Sequence, residues 1–221
     1  MSRRPDKERQ RRLWSWAALG YDLPLVQWWV YRPTQRALCR ALLALNLRPR
    51  RILDVGCGTG EMAFALRSVF PDAYVTGLDL APGMLRQARR KGDWREKMAW
   101  VRGDAEHLPF AKASFDLVTC ANSLIFYPDP VAALAEMRRV CRPGAWVGTV
   151  HMLNETILDR CFRFGFESVL GPAHVPSRTQ AAQWFAQAGL HVHSQGLIHS
   201  KASRIVSFGF ALARVERLAN S

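Results

Sequence analysis

The sequence predicts an α/β fold: a doubly wound sheet, mostly parallel, with an antiparallel C-terminal edge strand and an N-terminal helical lid. Three observations predict it. From residue 51 onward, short apolar runs of strand length alternate with helical patterns, the signature of a parallel sheet covered on both faces. A glycine-rich turn, Asp54-Val55-Gly56-Cys57-Gly58-Thr59-Gly60, joins the first strand to the first helix. Near the end, two strand-like runs follow one another with no helical pattern between them, which suits a hairpin at the sheet edge.

Taken in order, Ile52 to Val55 reads as a buried strand. Met62, Ala65, Leu66 and Val69 follow at helical spacing, and Pro71 closes that helix. Residues 73–78 form the second strand; Met84, Leu85 and Ala88 mark the second helix. Strands follow at 99–102 and 115–120. Val131, Leu134 and Cys141 line a helix that Pro143-Gly144 ends, and 145–151 is the next strand. The remainder reads as a helix over 179–189 and closing strands over 191–199 and 205–214. The first 45 residues read as helical, broken at Gly20 to Pro24 and again near Pro33.

A chain of 221 residues suits one domain with a full core. We expect a lid over 1–45, a core over 46–151, and a second lid with closing strands over 152–221. The formal net charge of +13 is uneven: residues 1–50 carry 11 Lys/Arg against 3 Asp/Glu, and residues 171–221 carry 5 against 1. Basic ends point to an anionic partner, a membrane surface or a nucleic acid, unless they are simply a solvated tail. The five cysteines make no CxxC pair and no zinc-type spacing with the histidines, so a disulfide framework or metal site is not expected. No run reaches the roughly 18–20 apolar residues that span a bilayer, and the N-terminal apolar stretch is too short and interrupted for a signal peptide. The expected location is cytoplasmic, with peripheral attachment to a membrane surface.

In such sheets ligands bind beyond the carboxyl ends of the strands. The glycines after the first strand permit a tight turn and close approach of a ligand, and the helix N-terminus behind them suits a carboxylate. Position 61 is Glu, so the spacing is G-x-G-x-G rather than the dinucleotide G-x-G-x-x-G, and no Walker lysine follows. Asp79 ends the second strand, about 20 residues after the loop, where a carboxylate accepts the two hydroxyls of a ribose; the plainer role is to cap the helix after Pro82. Gly103-Asp104-Ala105 ends the third strand, where a carboxylate can accept from an adenine amino group and the Ala105 N–H can reach a ring nitrogen.

The segments ILDVGCGTGEMA, VTGLDLAPGMLRQAR, VRGDAEHLPFAKASFDLV and PVAALAEMRRVCRPG resemble the successive motifs of the Rossmann-like class I methyltransferases that use S-adenosylmethionine (SAM). They are most similar to the branch of the ubiquinone and menaquinone C-methyltransferases and of many lipid and natural-product enzymes. The resemblance implies SAM as cofactor, with Asp54, Gly56 and Gly58 along its methionine moiety. It further implies Asp79, Leu80 and Met84 around the ribose, Asp104 and Ala105 at the adenine, and Asn122 facing the methionine end. Tyr21-Asp22-Leu23 is similar to the stretch that closes over the cofactor in the quinone branch. The resemblance spans roughly residues 13–151, and the run Asn122 to Tyr127 departs from the quinone enzymes, so it does not reach the acceptor pocket.

Methyl transfer from a sulfonium is an in-line displacement in which positioning supplies much of the catalysis. A base is needed only when the acceptor carries a proton. Tyr21, Tyr127 and His151 are the candidates for that role. Cys57 lies in the glycine loop without an adjacent base, so nucleophilic catalysis is not expected. Trp14, Trp16, Trp28 and Trp29 mingle with Leu13, Leu25 and Val26 behind Arg9, Arg11 and Arg12, a composition suited to a membrane interface or to a lid over the sheet. Phe162, Phe164 and Phe166 suit an apolar acceptor. The expected activity is therefore methyl transfer to a small hydrophobic or lipid-like molecule such as a phospholipid, a quinone precursor or a natural product. Alternatives are an RNA methyltransferase, which the basic ends favour, and a SAM-binding regulator without chemistry; an RNA-binding module and an Asn-Pro-Pro-aromatic motif are both missing.

Overall fold

A computed structural model describes residues 6–22, 27–91, 97–161, 167, 171–198 and 206–216; for 19–21, 29 and 30 it describes the backbone alone. Phe162, Phe164 and Phe166 lie outside the described residues, as does the side chain of Tyr21.

The strands are β1 (Arg51–Val55), β2 (Tyr74–Asp79), β3 (Met98–Arg102), β4 (Phe115–Ala121), β5 (Cys141–Met152), β6 (His191–Leu197) and β7 (Phe208–Arg214). They form one sheet in the order β3-β2-β1-β4-β5-β7-β6. The first five are parallel, and β7 runs antiparallel to both β5 and β6. The closing hairpin expected from the sequence thus forms this edge, with β7 inserted against β5 and β6 outermost. Strand order runs outward from β1 in both directions, so the switch point, where such sheets bind ligands, lies between β1 and β4.

The helices are α1 (Lys7–Tyr21), α2 (Arg32–Ala44), α3 (Glu61–Val69), α4 (Pro82–Arg90), α5 (Pro130–Val140) and α6 (Arg178–Gln187). Alternate residues of the strands serve two layers. Ile52, Val75, Leu117 and Val150 pack with Leu38 and Leu42 of α2, Leu66 of α3 and Leu85 of α4. Leu53, Leu78, Val118 and Val147 pack with Leu134 and Met137 of α5 and Phe185 of α6. Burying such side chains on both faces is what makes these strands near-continuous apolar runs. Truncating one, as in Leu53→Ala, costs about 2–5 kcal/mol.

The helix starts carry their own signals. Asp129 caps α5 by accepting from the Ala132 N–H at 2.9 Å, with Pro130 in the first turn. Ser177 and Gln180 form a reciprocal capping box on α6. Two of the differences from the sequence reading have a clear physical reason. β5 begins at Cys141 rather than 145, because Cys141 pairs with Phe115 across an irregularity in the β4 register before the ladder proper starts at Trp146. Pro33 starts a helix rather than breaking one: it stands in the first turn of α2, where no intrahelical N–H is required, and a π-helical turn (Gln27–Tyr31) leads directly into it.

The lid helix α1 lies on α4. A Cβ at Gly83 would strike the backbone carbonyl of Ser15, so its absence lets the two helices touch at backbone distance. Ala18 completes the contact with Ala81 and Met84.

Candidate active site

The loop after β1 is built by glycine. Gly56 has φ +67°, and a Cβ there would run into the Ser123 and Tyr127 hydroxyls. The Cys57 N–H donates to the Leu78 carbonyl at 3.0 Å, and the Gly58 N–H donates to Asp79 Oδ2 at 2.8 Å. Asp79 Oδ1 accepts from the Ala81 N–H at 2.8 Å. One carboxylate therefore ties the β1 loop to the residue before α4; the N-cap position itself is Ala81. The Leu80 N–H also acts on this carboxylate. Burial pushes the Asp79 carboxyl up to about 6 against the pull of these N–H groups.

Asp54 stands beneath this loop, fully buried, and does not line the cavity above it. Its Oδ1 accepts from the Thr119 hydroxyl at 2.8 Å and its Oδ2 has no partner among the described residues. Burial, with Asp79 nearby, pushes its carboxyl up to about 7 against the Thr119 bond. Asp54 is placed to hold the β1–β4 seam rather than to touch a ligand.

Gly56, Gly58, Asp79, Leu80, Met84, Asp104, Ala105 and Asn122 line one cavity at the switch point. At one end Asp104 accepts from the Lys7 ammonium at 2.7 Å, and Lys7 also pairs with Glu106 at 2.6 Å. Partial burial raises the Asp104 carboxyl, but Lys7 and the Glu106 N–H outweigh it and hold the group below its ordinary value. At the other end Asn122 sits at φ +60°, its amide nitrogen donating to the Thr34 hydroxyl at 2.9 Å. Its Oδ1 is buried without a partner among the described residues.

The roof comes from α1, which places Lys7, Gln10, Arg11 and Trp14 on the cavity at helical spacing. Gln10 Nε2 is buried with no partner among the described residues. Trp14 meets Phe126 edge to face at 4.9 Å between centroids. Tyr31, Phe126, Tyr127 and Pro128 continue the wall. The sequence reading missed Lys7, Gln10 and Tyr31. The 7-10-14 spacing was the available signal, but nothing in a sequence says which helix face meets a ligand.

The end of α1 is fastened to the glycine loop. The Lys91 ammonium donates to Asp22 Oδ1, the Thr59 hydroxyl and Glu61 Oε1, each at 2.8 Å, and the Thr59 hydroxyl donates to Asp22 at 2.7 Å. All three ammonium protons are used.

The base candidates are not brought together. Tyr127 lines the cavity, but its hydroxyl donates to Ser123 Oγ at 3.0 Å, and Ser123 donates to the Val55 carbonyl at 3.2 Å. Burial, with Cys120 and Asp79 nearby, drives the phenol well above its ordinary value, so it stays protonated at neutral pH. Tyr127 therefore buttresses the glycine loop, a correction of the base role. His151 is corrected too: it lies on β5, fully buried and off the cavity, with neither ring nitrogen partnered among the described residues. Burial pushes it down to about 4, so it is a neutral core imidazole. The Cys57 thiol is buried and held far above its ordinary value, consistent with no nucleophilic role.

A carboxylate ending β2, another just after β3 and a glycine loop after β1, within a 3-2-1-4-5-7-6 sheet, mark a Rossmann-like fold with its cavity at the switch point. Residues 53–148 match the family described as methyltransferase domain, and the chain carries a class I methyltransferase domain whose cofactor is SAM. Over 193 residues the chain is 33% identical to the malonyl-[acyl-carrier protein] O-methyltransferase of Hahella chejuensis, covering 86% of this chain and 65% of that protein. Over 102 residues it is 43% identical to the demethylmenaquinone methyltransferase of Deinococcus radiodurans, covering 46% of this chain and 42% of that protein. The chain thus spans less than two thirds of either relative. A SAM-dependent methyltransferase structure from Thermotoga maritima superposes with a TM-score of 0.73 at 20% identity, over 93% of this chain and 99% of that one. At that identity the likeness speaks for the fold.

Proposed function

We propose that this chain is a methyltransferase that uses SAM to methylate a small hydrophobic or lipid-like acceptor whose nucleophilic atom is already anionic, a carboxylate or a phenolate-type ring. The observation that carries this is the uneven lining of the cavity. The charged residues Lys7, Arg11, Asp79 and Asp104 serve the adenine and ribose end, whereas Trp14, Tyr31, Phe126 and Pro128 make an aromatic and apolar wall beside Asn122. An apolar acceptor loses water against such a wall. Among the described candidates, Tyr127 is held protonated and His151 lies off the cavity, so an acceptor needing proton removal is disfavoured.

When bound, SAM supplies a sulfonium-activated methyl group. The chain would hold and orient it through Asp79 at the ribose, Asp104 with Ala105 at the adenine, and Asn122 Oδ1 at the ammonium. A carboxylate oxygen would accept the methyl group with no proton to lose, whereas a ring carbon of a phenolate would afterwards shed its C–H proton to water. The names of the two relatives, a malonyl-[acyl-carrier protein] O-methyltransferase and a demethylmenaquinone methyltransferase, support this acceptor class. The whole chain serves as one domain, with 1–45 as cofactor lid, 46–151 as SAM-binding core and 152–221 on the acceptor side.

The test is transfer of labelled methyl from SAM to a panel of malonyl thioesters, fatty carboxylates, naphthoquinols and phospholipids, with RNA as a competing acceptor. Turnover on a carboxylate or quinol is expected. Turnover on RNA alone overturns the reading.

A further inference from the structure

The described surface exposes few large apolar side chains, and they are not scattered. Among them, Trp16, Trp28, Ile157, Leu158 and Leu197 belong to segments at the carboxyl ends of the strands, where the cavity opens; Leu43 and Tyr74 lie elsewhere. Trp16 is 76% exposed on the outer face of α1, whose inner face roofs the cavity with Trp14. Trp28 is three residues before Tyr31 of the cavity wall. Leu197 ends β6 in register with Gly209, the residue opposite His151 near the end of β5.

The turn at 157–161 is built with its polarity reversed. Ile157 is 76% exposed, while Asp159 is 2% exposed. The Asp159 carboxylate accepts from the N–H groups of Glu155 and Thr156 at 3.0 and 2.8 Å and of Ser207, at the start of β7, at 2.7 Å. These bonds anchor the acid inward and thereby hold two aliphatic side chains outward. Leaving them in water has no benefit to a monomer. Exposed arginines accompany them: Arg9 and Arg12 at helical spacing from Trp16, Arg32 beside the π-helical turn, and Arg160 beside Leu158.

We propose that this rim seats the mouth of the site on an anionic lipid bilayer, inserting Trp16, Trp28, Ile157 and Leu158 at the headgroup boundary while the arginines meet anionic headgroups. An apolar acceptor then enters the cavity from the membrane without crossing water. This rests on the reading of the cavity as an apolar-acceptor site.

The test is flotation of the full chain with vesicles of phosphatidylcholine, with and without phosphatidylglycerol, alongside SAM titration of each preparation. Binding is expected only with phosphatidylglycerol. The combined Trp16→Ser, Trp28→Ser, Ile157→Ser, Leu158→Ser variant is expected to lose binding by about tenfold or more, and Leu43→Ser with Tyr74→Ser to keep it. Should the fourfold variant fail to bind SAM, and so be unfolded, Arg9→Gln, Arg12→Gln, Arg160→Gln decides: roughly fivefold is expected per arginine. Wild-type protein that ignores anionic vesicles, or rim variants that float as well as wild type, overturn the inference. So does a rim that proves on sedimentation to cover a second copy of the chain. SAM binding without vesicle binding defeats this inference and leaves the methyltransferase reading; absent SAM binding defeats that reading, whatever the vesicles show.

Discussion

The two ends of the cavity are made differently. At the end proposed for adenine and ribose, Asp79 and Asp104 each accept at least two hydrogen bonds, from the N–H groups of Gly58, Ala81 and Glu106 and from the Lys7 ammonium. At the acceptor end, aromatic side chains from α1, the π-helical turn and the loop after β4 make the wall, and Asn122 Oδ1 stays unpartnered. The first end is fixed by backbone geometry, the second by side-chain identity. One binds a ligand common to a whole class of enzymes; the other must fit one acceptor.

If the contrast is right, the cofactor end breaks first. Gly56→Val forces a Cβ into Ser123 and Tyr127 at a left-handed φ and is expected to abolish SAM binding, read by calorimetry, with loss of several degrees in Tm. Lys91→Met removes the ammonium that bridges Asp22, Thr59 and Glu61, leaving Asp22 tied to the glycine loop by Thr59 alone, and is expected to speed cofactor release about tenfold, read by stopped-flow, without changing acceptor preference. Tyr127→Phe sharpens the acceptor side. A buttressing tyrosine loses one hydrogen bond, about 1 kcal/mol, with kcat reduced less than about tenfold and its pH profile unmoved; a general base would cost about a hundredfold or more and shift the profile.

The smallest effect is on pH. The Asp79 carboxyl is near 6 when folded and 3.8 ordinarily, so the folded state holds its proton more tightly. Its contribution to stability is present at low pH and is lost as pH rises from about 4 to 6. His151 acts oppositely: folded near 4 against 6.5, it adds stability as pH rises across that window. Melting curves from pH 4.5 to 7 are expected to show Asp79→Asn gaining on wild type as pH rises, by on the order of 1 kcal/mol for this partly solvated group. Cofactor affinity is expected to weaken as pH falls below about 6, when Asp79 protonates.

The same contrast explains what the sequence made legible. The β1 to β5 alternation was readable because strands buried on both faces are continuous apolar runs, and the glycine loop because only glycine fits beside Ser123 at Gly56. Asp79 and Asp104 were readable from their places after strands. Lys7, Gln10 and Tyr31 were not, because α1 and the π-helical turn reach the cavity through tertiary packing at Gly83, which leaves no periodic mark of its own. His151 misled for a related reason: its position at a strand end is on the ligand side, but alternation turns its side chain into the core.

The most direct test is calorimetric titration of the wild-type chain and Asp79→Ala with SAM and, separately, NADH. The account predicts SAM binding that Asp79→Ala weakens by roughly a hundredfold, from loss of charge-assisted hydrogen bonds, and no NADH binding. SAM binding indifferent to Asp79→Ala, or NADH binding in its place, would contradict it.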